Sequence, residues 1–171
     1  MRTNLIWKED NREAFLACLG SILNDPEVQR LSDFHQHTEA TTRYDHCMLV
    51  AYLSFLMCRR MGLDYQAAAR GGMLHDLYHE SWPGSEDGAL SRWRTHPAAA
   101  LENARVFGLN PMEEDIILKH MFPVTLALPR YKESYVVSLA DKIAAVMEKT
   151  HLVQPLGVRR SLKLVTAAVC A

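Results

Sequence analysis

Apolar residues recur every three or four positions along this chain, in one segment after another. That is the period of an α-helix. No β-branched run alternates with polar residues over more than a few positions, and no Asn-Gly or Asp-Gly joins two such runs. Phe15, Leu16, Leu19, Ile22 and Leu23 predict a helix from about Glu9 to Asn24, stopped at Asp25-Pro26, and Pro26 suits the first position of a short helix after it. From Ala40 to Met61 the apolar residues go almost all the way round, which marks a central helix, and Gly62 supplies its stop. Asp64 then caps an alanine-rich helix running to about Tyr78. Ser81 to Thr95, with Pro83, Gly84 and Gly88, reads as a binding loop or lid.

Pro97 is expected to open the next helix, which Gly108 closes after Phe107. Asn110-Pro111 starts another, with Glu113, Glu114 and Asp115 in its first turn, ending near Pro123. Pro123 to Lys132 reads as extended loop. Ser134 begins a helix to about Thr150, and Leu162 to Val169 form a last short one. The fold expected is an all-α single-domain helical bundle of six to eight helices over residues 1–171.

Composition narrows the function. At 171 residues the chain has the size of one domain, large enough to bury a core without disulfide staples. Its 19 basic and 20 acidic residues leave a net charge of -1, so no positive field draws it to a nucleic-acid polymer, and Arg59-Arg60 and Arg159-Arg160 are too short to track a phosphate backbone. Cys18, Cys47, Cys58 and Cys170 are scattered with no C-x-x-C, as reduced intracellular cysteines are. MRTNLIWKED carries no apolar run long enough for a signal peptide, and no 18-residue apolar run occurs. The expectation is a cytoplasmic protein with no membrane partner.

The candidate chemistry lies in the histidines. His46 falls within the all-round apolar helix, His75-Asp76 follow the apolar Met73-Leu74, and Asp141 sits in SLADKIAAVME. Each alone has a plain structural reading, as a core imidazole or carboxylate satisfied by a hydrogen bond. Together they form a set of imidazoles and carboxylates without thiolate, which suits Fe, Mn, Ni, Co or Zn. Facing helices of a bundle can project such a set inward. His96 and His120, at expected helix ends, read singly as capping or dipole partners. With the others they would supply nitrogens for a second ion, with Asp76 as the bridge.

The order His46, His75-Asp76, Asp141 on successive helices resembles the HD-domain superfamily of metal-dependent phosphohydrolases. The local wording agrees: R-Y-x-H at Arg43 to His46, L-H-D at Leu74 to Asp76, and A-D-K at Ala140 to Lys142. The match runs over about residues 41–150, with residues 1–40 and 151–171 expected to pack on that core. His96 and His120 resemble the subset with two ions per site, which includes HD-GYP phosphodiesterases and bacterial diadenosine tetraphosphate hydrolases. The chain departs from named subfamilies at three points. His79 stands where many two-metal members place a phosphate-binding lysine, the G-Y-P signature is absent, and Leu77-Tyr78-His79-Glu80 replaces the acidic pair of (p)ppGpp hydrolases.

The resemblance implies one or two divalent ions on His46, His75, Asp76, His96, His120 and Asp141, and hydrolysis of a phosphoester or phosphoanhydride in a small phosphorylated substrate. A nucleotide is the default. Arg43 would touch substrate phosphate or brace a buried carboxylate. His79 and Lys142 are further phosphate candidates beside the catalytic Asp76. Arg92 and Arg94 would grip phosphate from the loop, or remain solvated. Trp82 and Trp93 would stack on a base or pack beneath the loop, and Glu80 would shuttle protons or simply end a helix. A homodimer is compatible with all of this. Two other functions stand beside this one: a non-catalytic regulatory module binding metal or nucleotide, which would be expected to lose one or more ligands although none is lost here, and a dinuclear-iron oxygenase, whose ligands would be much the same.

Overall fold

The computed structural model describes residues 9–79 and 88–150, which form seven α-helices joined by short 3-10 turns. They are α1 (Glu9–Leu19), α2 (Pro26–Gln29), α3 (Arg43–Met61), α4 (Tyr65–Leu74), α5 (Ala89–Ala104), α6 (Pro111–Lys119) and α7 (Lys132–Lys149). Strands are absent among the described residues, apart from one isolated bridge between His35 and Thr42. The fold is an all-α bundle of the expected class. No described helix is long and apolar enough to cross a membrane. The last predicted helix, Leu162 to Val169, lies outside the described residues, as do Glu80 and Trp82.

α3 is the axis of the bundle. Twelve of its residues are buried, including Tyr44, Met48, Tyr52 and Phe55, and it packs against both α4 and α7. Its start is fixed by a reciprocal capping box, in which Thr42 and Asp45 each accept the other's backbone N–H. Its end is fixed by Gly62, at φ 70°, a left-handed conformation that costs glycine little. Asp64 caps α4 by accepting from Gln66 and Ala67, and Asn110 caps α6 with Glu113 in a second capping box. Behind α3 and α4, Phe15, Leu19, Ile22 and Leu23 of the N-terminal segment complete the core.

Several boundaries differ from expectation, among them the start of α3 at Arg43 rather than Ala40 and the end of α6 at Lys119 rather than near Pro123. The alanine-rich helix stops at Leu74 rather than Tyr78, so His75 and Asp76 fall in the turn that ends it. Two of the carbonyls left open by that stop are taken locally, Gly72's by His75 Nδ1 at 2.7 Å and Leu74's by the Leu77 N–H at 3.1 Å, and beyond it Asn103 Nδ2 donates to the Leu77 oxygen at 2.9 Å and an Arg43 guanidinium N–H to that of Tyr78 at 2.7 Å. Pro97 does not open a helix but lies inside α5, which begins at Ala89 within the expected loop. Strong helix formers follow it in Ala98-Ala99-Ala100, and they outweigh the single missing N–H. α7 starts at Lys132, two residues before Ser134.

α3 and α4 approach each other closely at Gly72. A Cβ built on Gly72 would stand 2.9 Å from the Ala51 Cα and 3.2 Å from its N, so backbone meets backbone. Gly→Ala in a helix ordinarily stabilises by up to about 1 kcal/mol. Here the sign reverses. Gly72→Ala is expected to lose about 1–3 kcal/mol through overpacking, measured by denaturant unfolding. Leu126→Ala, at a position 90% exposed, should change stability by less than ~0.5 kcal/mol. A stabilising Gly72→Ala would refute the close approach.

Candidate metal centre

Four buried histidines meet two acidic residues where α3, α4, α5, α6 and α7 converge. His46 comes from the first turns of α3, His75 and Asp76 from the end of α4, His96 from the middle of α5, His120 from the end of α6 and Asp141 from α7. The rings form a chain, with centroids 5.3 Å apart for His46–His75, 4.8 Å for His75–His120 and 4.9 Å for His96–His120.

Backbone carbonyls set the tautomers of three of them. Nδ1 of His75 donates to the Gly72 oxygen at 2.7 Å, Nδ1 of His96 to the Arg92 oxygen at 2.8 Å, and Nδ1 of His120 to the Ile117 oxygen at 2.8 Å. A carbonyl only accepts, so each Nδ1 carries the proton and each Nε2 turns inward as an acceptor. His96 Nε2 and His120 Nε2 stand 2.8 Å apart, and Asp76 Oδ1 is 3.3 and 3.6 Å from them. His46 Nε2 is 3.1 Å from Asp141 Oδ1, and His75 Nε2 is 3.8 Å from that oxygen and 3.7 Å from Asp76 Oδ2.

These separations fit a cation. Donors roughly 2.0–2.2 Å from one ion stand about 3–3.5 Å apart at octahedral or tetrahedral angles. His75 Nε2 and Asp76 Oδ1 are buried and have no hydrogen-bond partner. Lone pairs facing one another in a dry site need positive charge between them. Among the described residues three groups have their ligand atoms all within 4.8 Å of one another: His37, His46 and Glu148; His46, His75 and Asp76; and Asp76, His96 and His120. Asp76 belongs to the last two. Asp141 completes the group of His46, His75 and Asp76 through its contacts with the two imidazoles.

Without a metal ion, protons must serve. Burial lowers the His46 pKa, but hydrogen bonds to Asp141 and Glu148 outweigh it and bring the imidazole to about 10. Burial, then the neighbouring His75 and His96, depress His120 to about 3. Burial lowers His96 as well, but its contact with Asp76 outweighs that desolvation and raises it. Burial alone would raise the Asp76 carboxyl, yet His75, His96 and His120 hold it well below the usual carboxylate range.

A hairpin before α3 covers the site. The Gln36 N–H donates to the Thr41 oxygen at 2.9 Å and the Arg43 N–H to the Phe34 oxygen at 2.8 Å. Gln36 Nε2 thereby reaches Asp76 Oδ2 at 2.8 Å, while Gln36 Oε1 accepts from Arg43 Nε at 3.2 Å. The Arg43 guanidinium also stacks on Tyr78, 3.9 Å from its ring centre. Arg43 is thus held by Gln36 and the Tyr78 carbonyl rather than by the buried carboxylate expected, such as Asp45 or Glu39, and reaches Asp76 only through Gln36; the residue is buried and does not line the cavity described next.

That cavity, about 390 Å³, opens over Asp76, His96, His120 and Asp141. Arg92, Lys142 and Lys149 line it with positive charge, and Trp93, Tyr78 and Val124 with apolar surface. Lys142 Nζ is anchored by the His120 oxygen at 2.9 Å and lies 3.4 Å from Asp141 Oδ2, a contact its long stem permits between helical neighbours. Arg94 is exposed and does not line the cavity. Nor does His79, whose Nε2 pairs with Glu27 at 2.6 Å. A phosphate-gripping role for those two therefore has no support. Sequence reasoning missed Gln36, His37, Lys149 and Glu148. The first two sit in the hairpin, Lys149 adds a cavity cation, and Glu148 lies on the same face of α7 as Asp141, a spacing visible in the sequence but without a motif.

A family model of the HD domain matches residues 43–146, more than half of the chain. The protein belongs to the HD-domain family, whose members are generally metal-dependent hydrolases. No curated protein and no solved structure matches the chain.

Bracing by Arg43 has a measurable consequence. Lysine cannot reproduce the planar fork that serves Tyr78 and Gln36 together. Arg43→Lys should lower stability in chelator by about 1–2 kcal/mol in denaturant unfolding. Unchanged stability with a raised KM would instead return Arg43 to the substrate.

Proposed function

We propose that this protein hydrolyses a phosphoester or phosphoanhydride bond in a small phosphorylated substrate, with a nucleotide the best fit, at two divalent ions. His46, His75, Asp76 and Asp141 would hold the first ion, and His96, His120 and the shared Asp76 the second. The observation that carries this reading is the convergence of inward Nε2 atoms and carboxylate oxygens, two of them buried without hydrogen-bond partners, beside a cavity lined by cations. Divalent ions bound there would polarise a phosphoryl oxygen and bring the pKa of water near neutrality.

The rest is the work of the chain. Lys142, anchored at the His120 carbonyl, fixes a positive charge at the mouth of the site, and Arg92 and Lys149 add two more along the cavity. These suit a phosphate with more than one negative charge. A cavity of about 390 Å³ suits a ligand of mononucleotide size. Trp93, half-exposed on its wall, offers a face for a base, and Tyr78 closes the same side above His96. Gln36 holds Asp76 Oδ2 so that Oδ1 stays turned toward His96 and His120.

Protein purified without chelator should carry about two ions per chain among Fe, Mn, Ni, Co and Zn, falling to about one in His120→Ala. With each metal added in turn, a screen of mono-, di- and cyclic nucleotides should show phosphate-bond cleavage that His75→Ala and Asp76→Ala abolish. Activity surviving both substitutions, or a loaded protein that cleaves none of these substrates, would overturn the reading. For the active substrate, Trp93→Ala is expected to raise KM about tenfold with kcat nearly held, as lost stacking of roughly 1–3 kcal/mol requires.

A further inference from the structure

We propose that Glu148 is a positioning residue for the metal site: its carboxylate accepts the Nδ1 proton of His46 and leaves His46 Nε2 for a cation shared with Asp141. The inference rests on the metal-binding reading above. Glu148 lies two residues beyond the matched HD-domain region.

His75, His96 and His120 each spend their Nδ1 proton on a backbone carbonyl three or four residues earlier in the chain. His46 does not. Its Nδ1 points across the bundle to α7, where Glu148 Oε1 and Oε2 lie 3.1 and 3.2 Å away. Glu148 is 3% exposed, and its hydrogen-bond partner among the described residues is His46. A buried carboxylate at that position needs a reason, since an unpaired charge there is expensive.

The spacing supplies the geometry. Asp141 and Glu148 are seven residues apart, so they share one face of α7 about two turns apart. The His46 ring sits between them, Nε2 toward Asp141 and Nδ1 toward Glu148. A metal-ligating imidazole is ordinarily held by such an acceptor on its other nitrogen, which fixes the tautomer and makes the ring a better donor. An anionic acceptor does so more strongly than a carbonyl.

Two other roles are open to the same carboxylate. It could be a plain structural partner of His46, or it could ligate an ion of its own with His37 and His46, whose ligand atoms also lie within 4.8 Å of it. Metal binding separates the three. Wild type, Glu148→Gln, His46→Ala and the double variant are stripped with chelator, checked for cooperative unfolding, and titrated with Zn(II) and Co(II) against a competing chelator. Glutamine is isosteric and still accepts the Nδ1 proton, so the variant is expected to fold.

Glu148→Gln should weaken metal binding about 10- to 100-fold with the number of ions at saturation unchanged. In the His46→Ala background the same change should have no further effect. Nitrogen-resolved NMR of the zinc form should show a protected His46 Nδ1–H in wild type, shifted in Glu148→Gln. Equal affinity for wild type and Glu148→Gln would overturn this proposal alone, as would loss of a whole ion or undiminished weakening without His46. A wild type that binds no ion would overturn the metal reading as well.

Discussion

The centre of this bundle gathers more electron pairs than protons to share among them. His46, His75, His96 and His120 are each at most 6% exposed, and their inner nitrogens face Asp76 and Asp141 at 3.1–3.8 Å. In water such lone pairs would each take a hydrogen bond. In a buried site they repel unless a positive charge stands between them. Protons answer this only in part, for His75 Nε2 and Asp76 Oδ1 have no hydrogen-bond partner. A divalent cation answers more completely, because one ion accepts several lone pairs where one proton joins only two.

The helices deliver this constellation through the places where they start and stop. Gly72 serves twice. Its missing Cβ lets α4 approach α3 until backbone touches backbone, bringing the His46 and His75 rings to 5.3 Å, and its carbonyl takes the His75 Nδ1 proton. On the other side, Asp115 holds α6 to α7 by accepting from the Arg130 N–H and the Ser134 hydroxyl. Ser138 and Lys142 of α7 donate to the Phe122 and His120 carbonyls in the turn after α6. His120 and Asp141 are thus held in register by one set of polar contacts.

The fold and the candidate ligands were legible in the sequence for a physical reason. An all-round apolar helix has to be central, and imidazoles or carboxylates placed within apolar helical segments have to point at something polar. Helix ends were less legible. Nothing in GGMLHDLYHE says that the helix stops at Leu74, because the turn that follows is held by partners distant in sequence, Asn103 on the Leu77 carbonyl and Arg43 on that of Tyr78. Pro97 misled for a similar reason: its effect on α5 is decided by the residues around it, not by proline alone. Gln36 and Glu148 could not be assigned at all, since one is 40 residues from Asp76 and the other 102 from His46.

Charge balance links the site to the kind of ligand it takes. Asp76, Asp141 and Glu148 bring three negative charges to the site, one fewer than the positive charge of the two divalent ions proposed. Lys142 and Lys149 on α7 and Arg92 on α5 then add positive charge around the cavity mouth, with no acidic residue lining it beyond Asp76 and Asp141 among the described residues. A loaded site of this composition is electropositive although the chain as a whole carries a net charge of -1. A neutral ligand would leave that excess uncompensated, while a phosphate with more than one negative charge neutralises it where low dielectric makes each charge count most. The placement of these cations, more than the fold, favours a phosphorylated substrate over an uncharged one.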